Sequence, residues 1–151
     1  MRETIKEIIN DVLDRLEDVG IKNTKEARDL VFETGMSESG YRALEQMSAK
    51  KGIGALSFWQ IEPKTINDIW NNYIVYRKPL IEMAYSLGYR EDEPHFCILT
   101  NIALAVMFAR IYYRRKPGNI PTEIEDRASY WKRHYNCHGK GTVEHYLKAN
   151  L

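Results

Sequence analysis

Pro94-His95-Phe96-Cys97-Ile98-Leu99-Thr100-Asn101-Ile102-Ala103-Leu104-Ala105-Val106-Met107-Phe108-Ala109-Arg110-Ile111-Tyr112-Tyr113 has almost no polar face. A helix that is apolar on every side is either enclosed by its own protein or sits in a membrane. Thr100 and Asn101 interrupt the run, and its unbroken part falls well short of the roughly eighteen residues that a membrane span requires. Residues 94–113 are therefore expected to form one central core helix, around which an all-α domain packs. Asn101 inside it needs a partner, either a helix-end carbonyl or the site loop, because an unpaired buried amide is costly.

Outward from this run the chain reads as further helices. Arg114-Arg115-Lys116-Pro117-Gly118 closes it with cations where the helix dipole favours them. No other basic cluster joins them in sequence, so helix-end charge is preferred to a nucleic-acid patch. Thr122 with Glu125 has the form of a capping box, opening a helix to about Tyr135 with Ile124, Ala128, Trp131 and Tyr135 on one face. Thr142 opens a short last helix carrying Val143, Tyr146 and Leu147. On the other side, residues 65–76 and 79–87 read as two short helices or one broken at Pro79, with Gly88 as the stop. Residues 3–19 repeat Ile5, Ile8, Ile9, Val12, Leu13, Leu16 and Val19 at helical spacing up to Gly20. Acids dominate the polar face of that helix, which suits core packing rather than a membrane surface. Residues 24–34 carry Ala27, Leu30 and Val31, with Asn23 and Glu26 as a capping box and Gly35 and Gly40 bracketing the stop. Residues 42–51, followed by Gly52, Gly54 and Pro63, read as irregular with a short hairpin.

A chain of 151 residues is most simply one domain, here an N-terminal packing helix (1–22) and a core (23–151). Lys plus Arg number 22 against 21 acids, a net charge of +1 that does not indicate a globally basic nucleic-acid binder. Two cysteines make no disulfide framework, and Cys97 lies in so apolar a run that it reads as a buried hydrophobe. The charged start, Met1-Arg2-Glu3-Thr4, has no signal-peptide core.

Two segments stand out chemically. In Ser37-Glu38-Ser39-Gly40-Tyr41, continuing the preceding helix by fours from Leu30 passes Thr34 and reaches Glu38, so this carboxyl is expected on the apolar side. Partial burial and the negative end of the helix dipole both raise its pKa, which is what a general acid working near neutrality needs. The second segment, Gly54-Ala55-Leu56-Ser57-Phe58-Trp59-Gln60-Ile61-Glu62-Pro63-Lys64-Thr65, offers aromatic rings, an amide and a second carboxylate. Rings beside amides suit a sugar, with its apolar faces and hydroxyl edges.

Glu-Ser at 38–39, the block at 54–65 and Tyr135-Asn136-Cys137-His138-Gly139-Lys140-Gly141 together resemble the ordered signatures of the soluble lytic transglycosylase and goose-type lysozyme superfamily. The closest look is to phage-encoded peptidoglycan-degrading proteins, over about residues 24–147. The resemblance implies a lysozyme-like fold with little or no sheet, no cofactor, and cleavage of peptidoglycan glycan strands. In that role Glu38 protonates the glycosidic oxygen. Glu62 is acidic as in the goose-type lysozymes, which leans toward hydrolysis with Glu62 activating water; otherwise it is an exposed or helix-N-terminal charge, and transglycosylation by the muramic acid 6-hydroxyl stays open. Tyr135 is implied to orient the Glu38 carboxyl through its hydroxyl, against core packing with Trp131. Gln60 is implied to bind substrate polar groups, and Asn136 is placed with it on the substrate side. Ser39 either bonds the glycan or caps its helix. Ser57 stands where the family has glycine, which bears on how closely the backbone there approaches a sugar. Phe58 and Trp59 are either core aromatics or a stacking wall.

His134, Cys137, His138 and His145 match no metal-site spacing and are expected to be lone surface residues, with no metal. The implied localisation is the cell wall or periplasm, reached through a virion, a lysis protein or a membrane-opening partner. Two rival readings are a virion or wall-binding module that kept the fold without the chemistry, and a nucleic-acid binder using residues 110–116.

Overall fold

The computed structural model describes residues 1–44 and 54–151; the expectations for residues 45–53 lie outside the described residues. Eight α-helices are described: α1 (Arg2–Asp18), α2 (Lys25–Glu38), α3 (Pro63–Asn72), α4 (Lys78–Ser86), α5 (Pro94–Thr100), α6 (Ile102–Arg114), α7 (Ile124–His134) and α8 (Val143–Ala149). A 3-10 turn at Ile74–Tyr76 precedes α4, whose Pro79 sits in the first turn where no amide hydrogen is needed. Among the described residues the only strand-like pairing is one antiparallel bridge, Leu56 to Ile61, so the fold class is all-α. α1 lays Ile5, Ile9, Val12, Leu13 and Leu16 against α6 and α2, each at most 3% exposed.

The single central helix expected over 94–113 is two helices, which meet at a bend of 107°. Asn101 is the cause. Its backbone is extended (φ −124°, ψ 104°), its Oδ1 accepts the Leu104 amide at 3.1 Å, and its Nδ2 donates to the Leu87 carbonyl at 2.6 Å. One side chain thus caps the start of α6 and satisfies the end of α4, the helix-end carbonyl being one of the two partners foreseen. The enclosed element is α6, in which Leu104, Ala105, Val106, Met107, Phe108, Ala109 and Arg110 are all buried. No single helix among the described residues is long and apolar enough to cross a membrane.

Two local expectations are corrected. The cap of α2 is Thr24, whose hydroxyl accepts the Ala27 amide at 3.2 Å. Asn23 faces inward instead, donating to the carbonyls of Leu13 (2.7 Å) and Ile21 (2.9 Å) and accepting from Arg110 Nε (2.5 Å). Thr122 does not cap α7, which begins after Glu123; the Thr122 carbonyl accepts Arg127 Nη1 at 2.6 Å. The stop of α2 falls between Gly35 and Gly40 as read, at Glu38 with Ser39 as C-cap and Gly40 at φ 62°; Gly35 lies within the helix, where a Cβ would fall 2.3 Å from the Tyr41 oxygen. Thr142 caps α8 as read, accepting the His145 amide at 3.0 Å.

The core has a large cluster around α1, α3, α4, α5 and α6, and a smaller one of Leu30, Tyr113, Ala128, Tyr130, Trp131 and Tyr146 where α2, α6, α7 and α8 meet. Beside the smaller cluster Arg127 clamps Glu33 with two bonds of 2.7 and 2.8 Å, and the Tyr146 hydroxyl donates to the same carboxylate at 2.7 Å. A buried carboxylate held by three donors fixes α2, α7 and α8 relative to one another. That junction is where Glu38 sits.

Candidate active site

Glu38 is the last residue of α2 and shares a face with Leu30 and Thr34, both fully buried. Its Oε1 accepts two bonds, from Trp131 Nε1 at 3.0 Å and from Asn136 Nδ2 at 3.3 Å. Burial raises the carboxyl above its ordinary range; the Trp131 and Asn136 bonds and the charges of His145 and Lys132 oppose this without cancelling it. Both bonds fall on Oε1, which leaves Oε2 to carry the proton. The group is thus biased toward the protonated form and oriented at the same time.

Residues 135–141 reach the carboxyl because α7 ends at His134 and the chain folds back on itself. Lys132 Nζ gathers this turn, donating to the Asn136 carbonyl (2.9 Å), Asn136 Oδ1 (3.2 Å) and the Gly139 carbonyl (3.0 Å). With Oδ1 taken by Lys132, the Asn136 amide presents Nδ2 to Glu38. The two glycines of this block are close-approach positions: a Cβ at Gly139 would meet the Asn136 side chain at 2.6 Å, and one at Gly141 would meet the Trp131 ring at 2.6 Å. The turn therefore lies against the two side chains that hold Glu38. From the far side His145 Nε2 meets the Ser37 carbonyl at 2.7 Å, tying α8 to the end of α2.

The loop at 54–62 is fastened to the same place. Leu56 and Ile61 exchange backbone bonds of 2.8 and 2.7 Å, with Ser57 and Gln60 in left-handed conformations at φ 69° and 50°. Ser57 thus occupies a conformation natural to glycine and is 2% exposed, its Oγ accepting the Trp59 amide at 3.2 Å. Ser39 Oγ donates to the Phe58 carbonyl at 2.7 Å and accepts the Tyr41 amide at 3.1 Å. Ser39 thus ties the end of α2 to the loop. Gln60 is half-buried, with Nε2 donating to the Ser57 carbonyl at 2.9 Å.

Several sequence expectations change here. Phe58 and Trp59 are 8% and 0% exposed, pack edge-on to Tyr41, and Trp59 Nε1 donates to the Val31 carbonyl at 2.8 Å. Both are core aromatics, and neither offers a face to a sugar. The Tyr135 hydroxyl donates to the Trp59 carbonyl rather than to Glu38, while its ring stacks on Tyr113 at 5.3 Å. Tyr135 positions the loop, and the contact with Glu38 is made by Trp131 and Asn136. Asn136 accordingly holds the acid rather than standing free for substrate. Glu62 has a 57% exposed side chain, pairs with Lys64 at 3.3 Å and precedes α3 without capping it. Tyr112 is half-buried, with its phenol pushed up to about 12, first by burial and then by the charges of Cys137, Glu62 and Glu38.

Trp131, Lys132 and Tyr112 were not singled out in sequence. For Trp131 a signal existed, since a buried indole N–H needs an acceptor, but the sequence does not say which. His134 packs edge-on to Tyr130 at 4.5 Å, Cys137 and His138 are exposed, and His145, also exposed, is engaged by Ser37. Among the described residues no three His, Cys, Asp or Glu side chains are grouped as metal ligands.

In comparisons with known proteins, no family model, no curated protein and no solved structure matches the chain.

Proposed function

We propose that the protein is a lysozyme-like, peptidoglycan-cleaving glycosidase acting on the β-1,4 bond between N-acetylmuramic acid and N-acetylglucosamine, with Glu38 as general acid. The observation that carries this reading is the Glu38 carboxyl: half-buried, shifted toward its protonated form, and gripped on one oxygen by Trp131 and Asn136. The three blocks that resemble the transglycosylase and goose-type lysozyme superfamily meet around that carboxyl, through Ser39 to Phe58, Tyr135 to Trp59 and Asn136 to Glu38.

In this reading Oε2 gives its proton to the glycosidic oxygen as the bond to the muramic acid C1 breaks, so the leaving sugar departs as a neutral alcohol. The oxocarbenium-like centre is captured by water, with Glu62 taking the proton, or by the muramic acid 6-hydroxyl, with Glu38 taking it back. Glu62 is exposed, and among the described residues its one ion pair is with Lys64, which leaves it open to solvent to serve as a base.

The test is release of products from purified cell walls by wild type, Glu38→Gln and Glu62→Gln, read by reducing-end assay and mass spectrometry. Glu38→Gln is expected to lower the rate by about 10²–10⁴-fold, the range general acid catalysis supplies. Unchanged turnover in that variant removes Glu38 from its role. Loss in Glu62→Gln with reducing-end products selects hydrolysis; retained activity with anhydro products, lighter by one water, selects transglycosylation. Wall binding by the wild type without cleavage selects the non-catalytic module, a reading favoured by the two buried loop aromatics.

A further inference from the structure

A cleft of about 390 Å³ opens where the start of α2, the end of α6, the α6–α7 connection and α7 converge, and it takes no part in holding Glu38. Four cations line it: Lys22, Arg110, Arg114 and Lys116. Among the described residues none of the four is ion-paired, and the one carboxylate in the lining is Glu26. Arg114 and Lys116 belong to the run read in sequence as helix-end charge. The fold adds Arg110 from one turn earlier and Lys22 from across the molecule.

Arg110 is the informative member. It is only 5% exposed, with Nε bonded to Asn23 Oδ1 and Nη2 to the Lys22 carbonyl at 3.0 Å, while Nη1 is enclosed without a partner among the described residues. The Tyr130 hydroxyl, in the same lining, is likewise enclosed and unpartnered. A buried guanidinium normally faces a carboxylate, and a buried donor left without an acceptor is destabilising. Burial accordingly depresses the Arg110 guanidinium to about 10, and the neighbouring Arg114 charge adds to the strain. Two unpartnered donors in one lining call for an acceptor with several lone pairs. The positive end of α2, a helix of 14 residues, borders the same space through Thr24, Glu26 and Ala27.

We propose that this cleft binds a small organic phosphate, with the phosphate received by Arg110 Nη1, the Tyr130 hydroxyl and the start of α2, and with Arg114, Lys116 and Lys22 around it. Donors arriving from four chain segments surround an anion rather than face it, which suits a tetrahedral phosphate better than a planar carboxylate. The volume exceeds what an inorganic ion needs, and Ile120 gives the remainder of the ligand an apolar wall.

The full chain is titrated with inorganic phosphate, glycerol 3-phosphate and acetate, against sodium chloride at matched ionic strength, reading thermal unfolding and NMR shifts of the arginine Nε–H signals. At ten times its dissociation constant a bound phosphate is expected to raise Tm by about 3–6 °C. Glycerol 3-phosphate is expected to bind more tightly than inorganic phosphate. Arg110→Gln also loses the bonds to Asn23 and Lys22 and is liable to unfold, so Tyr130→Phe and Lys116→Gln carry the test; each is expected to weaken binding by about tenfold. A phosphate response no larger than that of chloride, acetate binding as well as phosphate, or unchanged affinity in Tyr130→Phe overturns the proposal. Wall-cleavage activity is not the readout, so the outcome stands whether or not the glycosidase reading survives.

Discussion

Gly141→Ala is the most informative single change, because it acts on Glu38 chiefly through Trp131, with a lesser contact at 3.2 Å to Asn136 Oδ1, and touches no reacting group. The added Cβ would lie 2.6 Å from the far edge of the Trp131 ring, and an ordinary contact of 3.4 Å requires an opening of about 0.8 Å. Trp131 has little room to give. It is 1% exposed, and Tyr146 packs against it with ring centres 5.2 Å apart. An indole displaced that far cannot keep its 3.0 Å bond to Glu38 in place, whether drawn off the carboxyl or driven against it. Overpacking of this kind costs about 1–3 kcal/mol, and for a chain of this size Tm falls about 2–4 °C per kcal/mol. A misplacement near 1 Å lowers turnover by roughly 10²-fold. The assay pairs wall-cleavage rate with thermal unfolding and a near-ultraviolet spectrum for the tryptophans. Gly139→Ala, which presses on the more yielding Asn136, is expected to lose less activity. A Gly141→Ala protein with lowered Tm but wild-type cleavage would refute the claim that Trp131 holds the acid in its working position.

Other expectations concern the same junction. On the proposed reading, the raised Glu38 carboxyl places the alkaline limb of the rate profile above the ordinary carboxylate range, because a general acid must be protonated and its activity is lost as pH rises through the folded-state value. Stability has the same sign: between the unfolded and the raised folded-state values the native protein binds more protons, so Glu38 contributes a loss of stability as pH rises through that window. Urea unfolding of Glu38→Gln should lack this decline. Tyr135→Phe removes one donor from the Trp59 carbonyl and should cost about 0.5–1.5 kcal/mol. Its rate profile should keep the wild-type alkaline limb, since Trp131 and Asn136 still hold Glu38; a displaced limb would return Tyr135 to the role its family resemblance implies. Arg127→Met leaves the Glu33 carboxylate buried without its clamp and should cost about 3–5 kcal/mol, read as a lowered urea midpoint.

Periodicity made most helices legible because each buries one continuous face, and a face of side chains at helical spacing is a local property. α1 and its stop at Gly20, the break around Pro79 and the Thr142 cap were all readable on that ground. Where the reading failed, the deciding partner was remote in sequence. Asn101 looked like a polar intruder in one helix, yet its bond to Leu87 helps make it the hinge between two. Asn23 looked like a cap, but Arg110, 87 residues away, claims its oxygen and leaves the capping to Thr24.

The site divides in the same way. From sequence alone came the all-α class and the placing of Glu38 on the apolar side of its helix, because both depend on spacing within a few turns. Which groups meet the carboxyl was decided only by the tertiary structure. Tyr135 and Trp131 lie one turn apart on α7 and its cap, and either could have faced Glu38. Packing of Tyr135 on Tyr113 sends its hydroxyl to the loop, and the turn gathered by Lys132 brings Asn136 in beside Trp131. The anion cleft has the same origin, since Lys22 and Arg110 become neighbours only when α1 and α2 close over α6. Local pattern determines which face of a helix is buried; which polar atoms share the burial is set by where distant segments cross.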